Sequence, residues 1–416
     1  MKFSKLGQLF LVSTIGLLVA TLLTACSITT ISYIFVASSS GSGAGSPGQI
    51  QTFDADSQTG ALRFGQPTVP SGGSSPVAMT VSTDYQNLYI INQGNNSVVH
   101  FAIAGNGVLT QKDSITASNT PVALAVDTAS TYLYVLTGPS PAVLTAYALS
   151  SGAIGSAVSQ QTLSLAAVSD AYASDVLVPT GITVLVNNST IKGSAVFVTA
   201  YDQSAYNPGC TPTPPATTCI TSDANPGWVF GFTIGSGGVL AASNNSPFQA
   251  GVKPTAIAST PTDEYVYVTD YASNELIAYG IHSGNVLQFL INGPFKTNNE
   301  PQAITIDPRG KYIYVADALS SLVTTYAIDL ATGTPTSTVG TGNATDTEPI
   351  AITVDAGVGR FVYTANYLGN SVSGFKLDPN TGELTANQAS PYPTGAHPTA
   401  VATIPAGSHA VQAIAP

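Results

Sequence analysis

Short segments in which apolar and polar residues alternate with a period of two recur along the chain. Seven of them begin at a proline and are rich in Val, Ile, Ala and Thr; they start at Pro76, Pro121, Pro179, Pro254, Pro301, Pro349 and Pro398. Such alternation of β-branched residues is typical of a half-buried strand. We name this predicted strand a. Its recurrence every 45 to 75 residues indicates a repeated unit of several strands.

Two further strands follow each strand a. Strand b carries a central aromatic residue, at Phe35, Tyr89, Tyr134, Phe197, Tyr267, Tyr314 and Tyr363. Strand c is centred on Phe53, Phe101, Tyr147, Phe232, Tyr279, Tyr326 and Phe375. A glycine suited to a tight turn comes five to seven residues later, at Gly60, Gly107, Gly152, Gly238, Gly284, Gly333 and Gly382. With a short strand d before the next proline, the unit is the four-stranded antiparallel blade of a β-propeller.

The first blade is divided between the two ends of the chain. The N-terminal part of this blade begins at strand b, Ile31–Ala37. An extra strand a, Pro398–Ile404, lies near the C-terminus. Pairing these two strands removes the open edges of the array. The sequence therefore predicts an all-β, seven-bladed propeller over residues 31–404, followed by a tail, 405–416.

The N-terminus has the features of an export signal. Lys2 and Lys5 precede an apolar run, residues 9–23, that ends in Leu-Thr-Ala-Cys26. A positive start, an apolar core and a small-residue cleavage site describe a secretory signal peptide. The last four residues resemble the bacterial lipobox, which implies a signal peptide at 1–25, a lipid on Cys26 and a tether at 26–30. The alternative is an ordinary signal peptide or an uncleaved anchor with an incidental cysteine.

The composition narrows the partners of the chain. With 22 Asp and Glu against 11 Lys and Arg, the net charge is −11, which disfavours nucleic acid. The predicted location is the periplasm, the outer membrane or the cell surface, with the membrane contacted through the lipid. In such a compartment Cys210 and Cys219 are expected to form a disulfide, because two isolated thiols lack the other ligands that zinc requires.

Polar residues cluster where strand a begins and strand b ends, at one end of the predicted channel, which we name the mouth. In blades five to seven they are Lys253, Asp270, Glu300, Asp317, Glu348, Asn366 and His397. Glu300, Glu348 and His397 are candidate catalytic residues. The predicted ligand-binding residues are Lys253, Asp270, Asp317, Asn366 and, in blade two, Asn92. No cofactor is identified, although a divalent cation would suit these groups. The alternative is that Asp and Asn cap strand ends and that residues before proline are polar because they are exposed.

Two long connections of blade four are predicted on the same face. They run over 165–178 and 201–227, and the second contains the cysteine pair and three prolines. Long loops in a compact domain are usually functional or disordered. We expect a lid or a partner-recognition arch; additional length without a function is the alternative.

The strand-b segments Tyr267-Val-Thr-Asp270, Tyr314-Val-Ala-Asp317 and Tyr363-Thr-Ala-Asn366 resemble the YVTN-type repeat. Together with the turn Asp378-Pro-Asn-Thr-Gly382, they resemble the bacterial β-propeller lactonase family, which includes 6-phosphogluconolactonase-like proteins. The resemblance implies a propeller fold and hydrolysis of a lactone ester bond. Enzymes of this kind rely on His, Arg and carboxylate groups in the channel.

The arginines do not follow that pattern. Arg63, Arg309 and Arg360 are predicted on the face opposite the mouth, and no Ser-His-Asp arrangement can be identified by spacing. These points favour an exported binding or interaction scaffold that takes a small molecule or protein at the mouth. The alternative is a lactonase of the 6-phosphogluconolactonase type.

Overall fold

The computed structural model describes residues 29–39, 41, 45–169, 172–185, 194–203, 226–337 and 342–407. Cys26, Cys210, Cys219 and the centre of the long blade-four loop, 204–225, lie outside the described residues. The signal peptide, the lipid anchor, the disulfide and the lid therefore stay predictions. Within the described part of the chain, no helix has the length and apolar character needed to span a membrane.

Strands form nearly all of the regular structure. In chain order they are β1 (Thr30–Ser39), β2 (Pro47–Asp56), β3 (Leu62–Ser74), β4 (Pro76–Val81), β5 (Asn87–Asn92), β6 (Ser97–Ile103), β7 (Leu109–Thr116), β8 (Pro121–Val126), β9 (Tyr132–Thr137), β10 (Val143–Ser150), β11 (Ala153–Thr162), β12 (Leu177–Val184), β13 (Ala195–Asp202), β14 (Gly227–Ile234), β15 (Leu240–Ala242), β16 (Phe248–Gln249), β17 (Pro254–Ser259), β18 (Tyr265–Asp270), β19 (Glu275–His282), β20 (Val286–Phe289), β21 (Phe295–Lys296), β22 (Pro301–Ile306), β23 (Tyr312–Asp317), β24 (Leu322–Ile328), β25 (Pro335–Ser337), β26 (Asn343–Ala344), β27 (Pro349–Val354), β28 (Phe361–Asn366), β29 (Ser371–Leu377), β30 (Leu384–Ala386), β31 (Tyr392–Pro393) and β32 (Ala396–Pro405). Short 3₁₀ turns lie at Gln93–Asn95 and Ser236–Gly238.

These strands form seven antiparallel sheets, each with strand a on the inside and strands b, c and d following outward. The predicted all-β, seven-bladed propeller with four strands per blade is confirmed. One detail differs: in blades four to seven, strand d is divided into two short segments that both pair with strand c.

The innermost strands form a closed ring around one axis. Each strand a packs against that of the next blade, in the order β32, β4, β8, β12, β17, β22, β27 and back to β32. Most residues of these strands are half-buried, as expected for the wall of a channel. Blade one is completed by antiparallel pairing of β1 with β32, which places Phe35 opposite Ala402. The predicted closure is therefore confirmed.

Neighbouring blades share apolar cores, and four of the seven junctions also carry the same hydrogen bond from a strand-b tyrosine to a turn glycine. The central aromatic residues of strand b are fully buried between sheets. In blade five the Tyr267 hydroxyl donates to the carbonyl of Gly333, the turn glycine of blade six, at 2.6 Å. The Tyr363 hydroxyl makes the same bond to Gly60 across the closing junction, at 2.8 Å. The aromatic residues and glycines of the repeat thus hold successive blades together.

Candidate functional site

The residues before the strand-a prolines lie at the mouth because strands a and b are antiparallel. In blade five, Pro254 pairs with Asp270, the last residue of strand b. The amide of the next residue, Tyr271, donates to the carbonyl of Lys253 at 3.0 Å. Blades six and seven repeat both contacts. The fold therefore brings equivalent positions of consecutive blades to the same end of the channel.

Glu300, Glu348 and His397 share a left-handed backbone conformation, with φ of 59°, 60° and 52°. Residues other than glycine seldom adopt this conformation, which costs on the order of 1–3 kcal/mol. Turn side chains hold the backbone amides: Glu300 donates to Asn274 Oδ1 at 2.7 Å, and His397 donates to Asn370 Oδ1 at 2.8 Å. The backbone at these positions is therefore fixed before any ligand binds.

A cavity of about 320 Å³ opens between blades five, six and seven at this end of the molecule. It falls within the usual size range of small-molecule sites. Its lining residues are Lys253, Tyr271, Glu300, Gln302, Ala318, Glu348, Ile350 and Tyr367. Three residues that the sequence predicted at the mouth, Lys253, Glu300 and Glu348, thus surround one space. We name it the mouth cavity.

The charges around the mouth cavity influence one another. Burial, and then the negative charge of Glu300, raise the pKa of Glu348, while His397 acts in the opposite direction. Burial lowers the pKa of Lys253, and Glu300 partly offsets that effect. The Lys253 ammonium lies 4.2 Å from the ring centroid of Tyr271, which is a cation–π geometry. The lining of the cavity thus includes a carboxyl group with a raised pKa and an ammonium group.

His397 stands at the edge of the mouth cavity; because its strand, β32, pairs with β1, it belongs to blade one and not to blades five to seven as the sequence predicted. Its imidazole stacks on the ring of Tyr367, with 4.6 Å between the centroids. Tyr367 itself lines the cavity. His397 is therefore held beside the site and acts electrostatically on Glu348.

The predicted ligand residue Asp270 has a different environment. Its carboxylate is fully buried and accepts hydrogen bonds from the amides of Val252 at 2.8 Å, Lys253 at 2.9 Å and Ala272 at 3.1 Å. It therefore joins the loop before strand a to the turn after strand b. In this position it fixes the backbone of Lys253.

Asp317, Asn366 and Asn92, the other predicted ligand residues at the ends of strand b, are also fully buried. Asn366 donates to the hydroxyl groups of Ser371 at 3.0 Å and Ser373 at 2.9 Å. Asn92 accepts a hydrogen bond from Ser71, and Asp317 accepts one from Thr324. Asp317 and Asn366 thus bind residues of the adjacent strand c, whereas Asn92 binds a residue of β3, the outer strand of blade one. The polar residues predicted at the mouth thus fall into two groups. Some side chains face the mouth cavity, and the others hold the loops around the cavity in place.

Sequence reasoning missed five lining residues of the mouth cavity: the apolar Ala318 and Ile350, and three with polar groups, Tyr271, Tyr367 and Gln302. Both tyrosines directly follow the last residue of strand b, and Tyr201 occupies the same place in blade four. A comparison of this position between repeats would have found them. Gln302 is the second residue of its strand a, where alternation directs every other side chain into the channel.

Within the described residues, no group of three or more His, Cys, Asp or Glu side chains is arranged to hold a metal ion. The divalent cation at the mouth stays a prediction. Arg309 lies in an a–b turn at the other end of the channel, where it donates to Asp307 at 3.2 Å and to the Gly359 carbonyl at 3.0 Å. Its placement agrees with the sequence analysis.

Residues 34–164 and 237–351 match the family model described as lactonase, 7-bladed β-propeller. These segments cover more than half of the chain. The chain belongs to the β-propeller lactonase family. The expectation of a scaffold without an enzymatic role is therefore wrong, because family membership supports the lactonase alternative. The placement of the arginines away from the mouth was weak evidence against hydrolysis, because carboxylate and ammonium groups line the mouth cavity of this lactonase-family propeller.

Solved structures agree with this fold. The lactonase-family propeller is similar to a candidate 6-phosphogluconolactonase from Bacteroides uniformis, with a TM-score of 0.67, 15% identity, and 90% of this chain and 100% of that chain covered. It is equally similar to the Pseudomonas aeruginosa periplasmic gluconolactonase PpgL, with a TM-score of 0.66, 15% identity, and coverage of 91% and 100%. At this identity the likeness concerns the fold. No curated protein matches the chain significantly.

Proposed function

We propose that this protein hydrolyses a lactone in the mouth cavity. The observation that carries the proposal is a single cavity lined both by Glu348, a half-buried carboxyl group with a raised pKa, and by the ammonium of Lys253. Lactone hydrolysis requires a base for water and a group that stabilises the negative charge of the tetrahedral intermediate. The family membership supports the same reaction class.

In the proposed reaction, the ionised Glu348 takes a proton from a water molecule. The oxygen of that water molecule attacks the lactone carbonyl carbon at the same time. The carbonyl π electrons move to oxygen, and the Lys253 ammonium stabilises this oxyanion. When the intermediate collapses, the bond between the carbonyl carbon and the ring oxygen breaks. Glu348 returns the proton to the departing ring oxygen. The product is a hydroxy acid, and the enzyme recovers its starting protonation state.

Glu300 and His397 have supporting roles in this proposal. Glu300 favours the charged form of Lys253 and raises the pKa of Glu348. A general base is most effective when its pKa approaches the working pH, so a raised value suits Glu348. His397 limits that rise and favours the ionised base.

The test is a lactone-hydrolysis assay on Glu348→Gln and Lys253→Met. Loss of the base should lower kcat by roughly 10²–10⁴-fold. Loss of the cation should lower it by roughly 10²–10³-fold. Glu275→Gln is the matched control, because Glu275 pairs with Lys296 at 2.7 Å on the outer strands. Unchanged activity in both cavity variants would contradict the proposed roles.

The same assay tests the predicted cation. Metal analysis of the purified protein, together with activity before and after EDTA treatment, separates metal-assisted hydrolysis from hydrolysis by side chains alone. In the mechanism above, EDTA leaves kcat unchanged. A loss of activity that a divalent cation restores would assign the activation of water to a metal.

We further propose that the protein is exported and anchored through a lipid on Cys26. The proposal is supported by the apolar run at 9–23 and the Leu-Thr-Ala-Cys26 sequence that ends it. Cys26→Ser should abolish labelling by a palmitate analogue and release the protein from membranes. Continued membrane association of the unlabelled variant would exclude the lipid as the anchor.

A further inference from the structure

We propose that the substrate is an uncharged lactone and that the mouth cavity discriminates against a phosphorylated one. This inference rests on the proposed function and specifies its substrate class. The names of two similar structures refer to the lactone of a phosphorylated sugar acid, whereas a third refers to a gluconolactonase, so the two substrate classes can be compared directly.

The lining charge of the mouth cavity is the first argument. Among the residues that the structure describes, Glu300 and Glu348 both line it, against one lining cation, Lys253. The two carboxylates are close enough that Glu300 raises the pKa of Glu348. Like charges in a partly desolvated site repel each other more strongly than in bulk water. A substrate phosphate would place further negative charge beside a pair that is already unfavourable.

The environment of Lys253 is the second argument. Its ammonium is held over the ring of Tyr271, with Tyr201 at 5.9 Å, and it interacts with Glu300. In the proposed reaction this single charge also stabilises the oxyanion. One lysine already engaged in these ways is a poor replacement for the cationic cluster that a phosphate group requires.

The positions of the arginines are the third argument. Arginine is the side chain best suited to phosphate, because its planar fork can bind two oxygen atoms at once. The chain has three arginines, and all are among the described residues. Arg309 binds a–b turns, Arg360 precedes strand b of blade seven, and Arg63 lies in the outer strand of blade one opposite Asp54. None of them lines the mouth cavity.

The experiment compares glucono-1,5-lactone with its 6-phosphate, a pair that differs only in the phosphate group. The full chain should hydrolyse the uncharged lactone with a kcat/KM higher by at least about tenfold. Added salt should raise kcat/KM for the phosphorylated lactone, because screening weakens the repulsion, and should have little effect on the uncharged one.

Variants that change the charge of the cavity test the inference further. Gln302 lines the cavity and has no role in the proposed reaction. Gln302→Lys adds a cation at that place and should reduce the preference for the uncharged lactone several-fold. Gln302→Met, a neutral change of similar size, should leave the preference as it is. A KM effect confined to the phosphorylated lactone would identify charge as the cause.

Each result has one interpretation. Preference for the uncharged lactone, reduced by Gln302→Lys, supports the inference. Hydrolysis of both lactones with equal or higher efficiency for the phosphorylated one overturns the inference and leaves the proposed function intact. Hydrolysis of neither overturns the proposed function, and the inference with it.

Discussion

Glu348 combines two unfavourable conditions, a left-handed backbone and a half-buried carboxyl group near a second glutamate. Ser75, before the strand-a proline of blade two, has the same backbone conformation, whereas Thr120, Val178 and Lys253 at the equivalent positions do not, so four of the seven blades adopt it. Asparagine and glycine tolerate that conformation better than glutamate does. Glutamates at two such positions are therefore poor choices for stability, as residues at functional sites often are.

The raised pKa of Glu348 predicts a shifted pH profile. The base acts only when ionised, so kcat/KM should rise with pH through a pKa above the ordinary carboxyl value of 4.5. Glu300→Gln removes the second of the two effects that raise this pKa. The rising limb of the profile should then move to lower pH, while the remaining burial keeps it above the ordinary value.

Measurement of kcat/KM against pH for the wild type, Glu300→Gln and the outer-strand control Glu275→Gln checks this prediction. The control should superimpose on the wild type. A limb that stays in place in Glu300→Gln would show that another group controls it.

Asp317 predicts a pH-dependent stability. Burial raises its pKa from 3.8 to about 7, although hydrogen bonds from Thr324 and Asn298 oppose the shift. The folded protein therefore binds this proton more tightly than the unfolded chain. Stability from this group is present below pH 4 and is lost as the pH rises to about 7, by at most roughly 1.4 kcal/mol per pH unit.

Asp317→Asn should remove that loss, so the variant gains free energy of unfolding at pH 8 relative to the wild type and gains little at pH 4. The chain supports this replacement, because an asparagine occupies the same position in blades two and seven. Urea unfolding at both pH values measures the effect. Asp270→Asn is the contrasting variant, since it loses a carboxylate that accepts several backbone amides, and it should be destabilised. Equal effects of Asp317→Asn at both pH values would refute the assignment.

At the scale of the element, the joint between blades depends on small turn residues. Gly333 has φ of +71°, and a Cβ atom there would lie 2.2 Å from the ring of Tyr265 in the preceding blade. Gly382 has the same relation to Tyr312 in blade six, at 2.3 Å. An aromatic residue and a glycine therefore interlock at five of the seven junctions, whereas Gly152 and Gly284 face asparagines instead.

Gly333→Ala should destabilise the protein by about 2–4 kcal/mol, the sum of backbone strain and overpacking. Gly237→Ala is a closely matched control, because Gly237 also has φ of +71° but a Cβ atom added there would have no neighbour within 4 Å. It should lose only the strain component, about 1–2 kcal/mol. Thermal unfolding of both variants separates the two effects, and equal losses would rule out the interlocking contact.

The repeat made the elements predictable from sequence. Alternation located strand a, while the aromatic residues and the turn glycines located strands b and c and the joints between blades. The division of strand d in blades four to seven could not be foreseen. It depends on how the two segments pair with strand c, and the sequence of strand c does not indicate it. The placement of Lys253, Glu300 and Glu348 followed from the shared pre-proline position. The sequence did not predict that the side chains of Asp270, Asp317 and Asn366 are directed into the sheet. Their hydrogen-bond partners in the turns and neighbouring strands set that direction.

At the scale of the whole molecule, the ring depends on one antiparallel pairing between residues far apart in sequence. β32 lies between β1 of its own blade and the innermost strands of both neighbouring blades. Without it, β1 would present unpaired backbone groups, and such edges promote aggregation.

A chain that ends before Ala396 should therefore unfold at lower temperature and associate in solution. A chain that ends at Gly407 retains the whole of β32 and should behave as the full-length protein. Thermal unfolding with light scattering distinguishes these outcomes. A monomeric shorter chain with the full-length melting temperature would show that closure contributes little.

The closing strand also carries His397, whose ring packs on the wall of the mouth cavity. Because a polypeptide is synthesised from its N-terminus, β1 is made long before this residue. The surroundings of the pocket are therefore incomplete during synthesis, and they are assembled only when β32 pairs with β1. A premature stop or a proteolytic cut before β32 would remove ring closure and the imidazole that stacks on Tyr367 in a single event, so that the proposed hydrolysis would report on an intact ring.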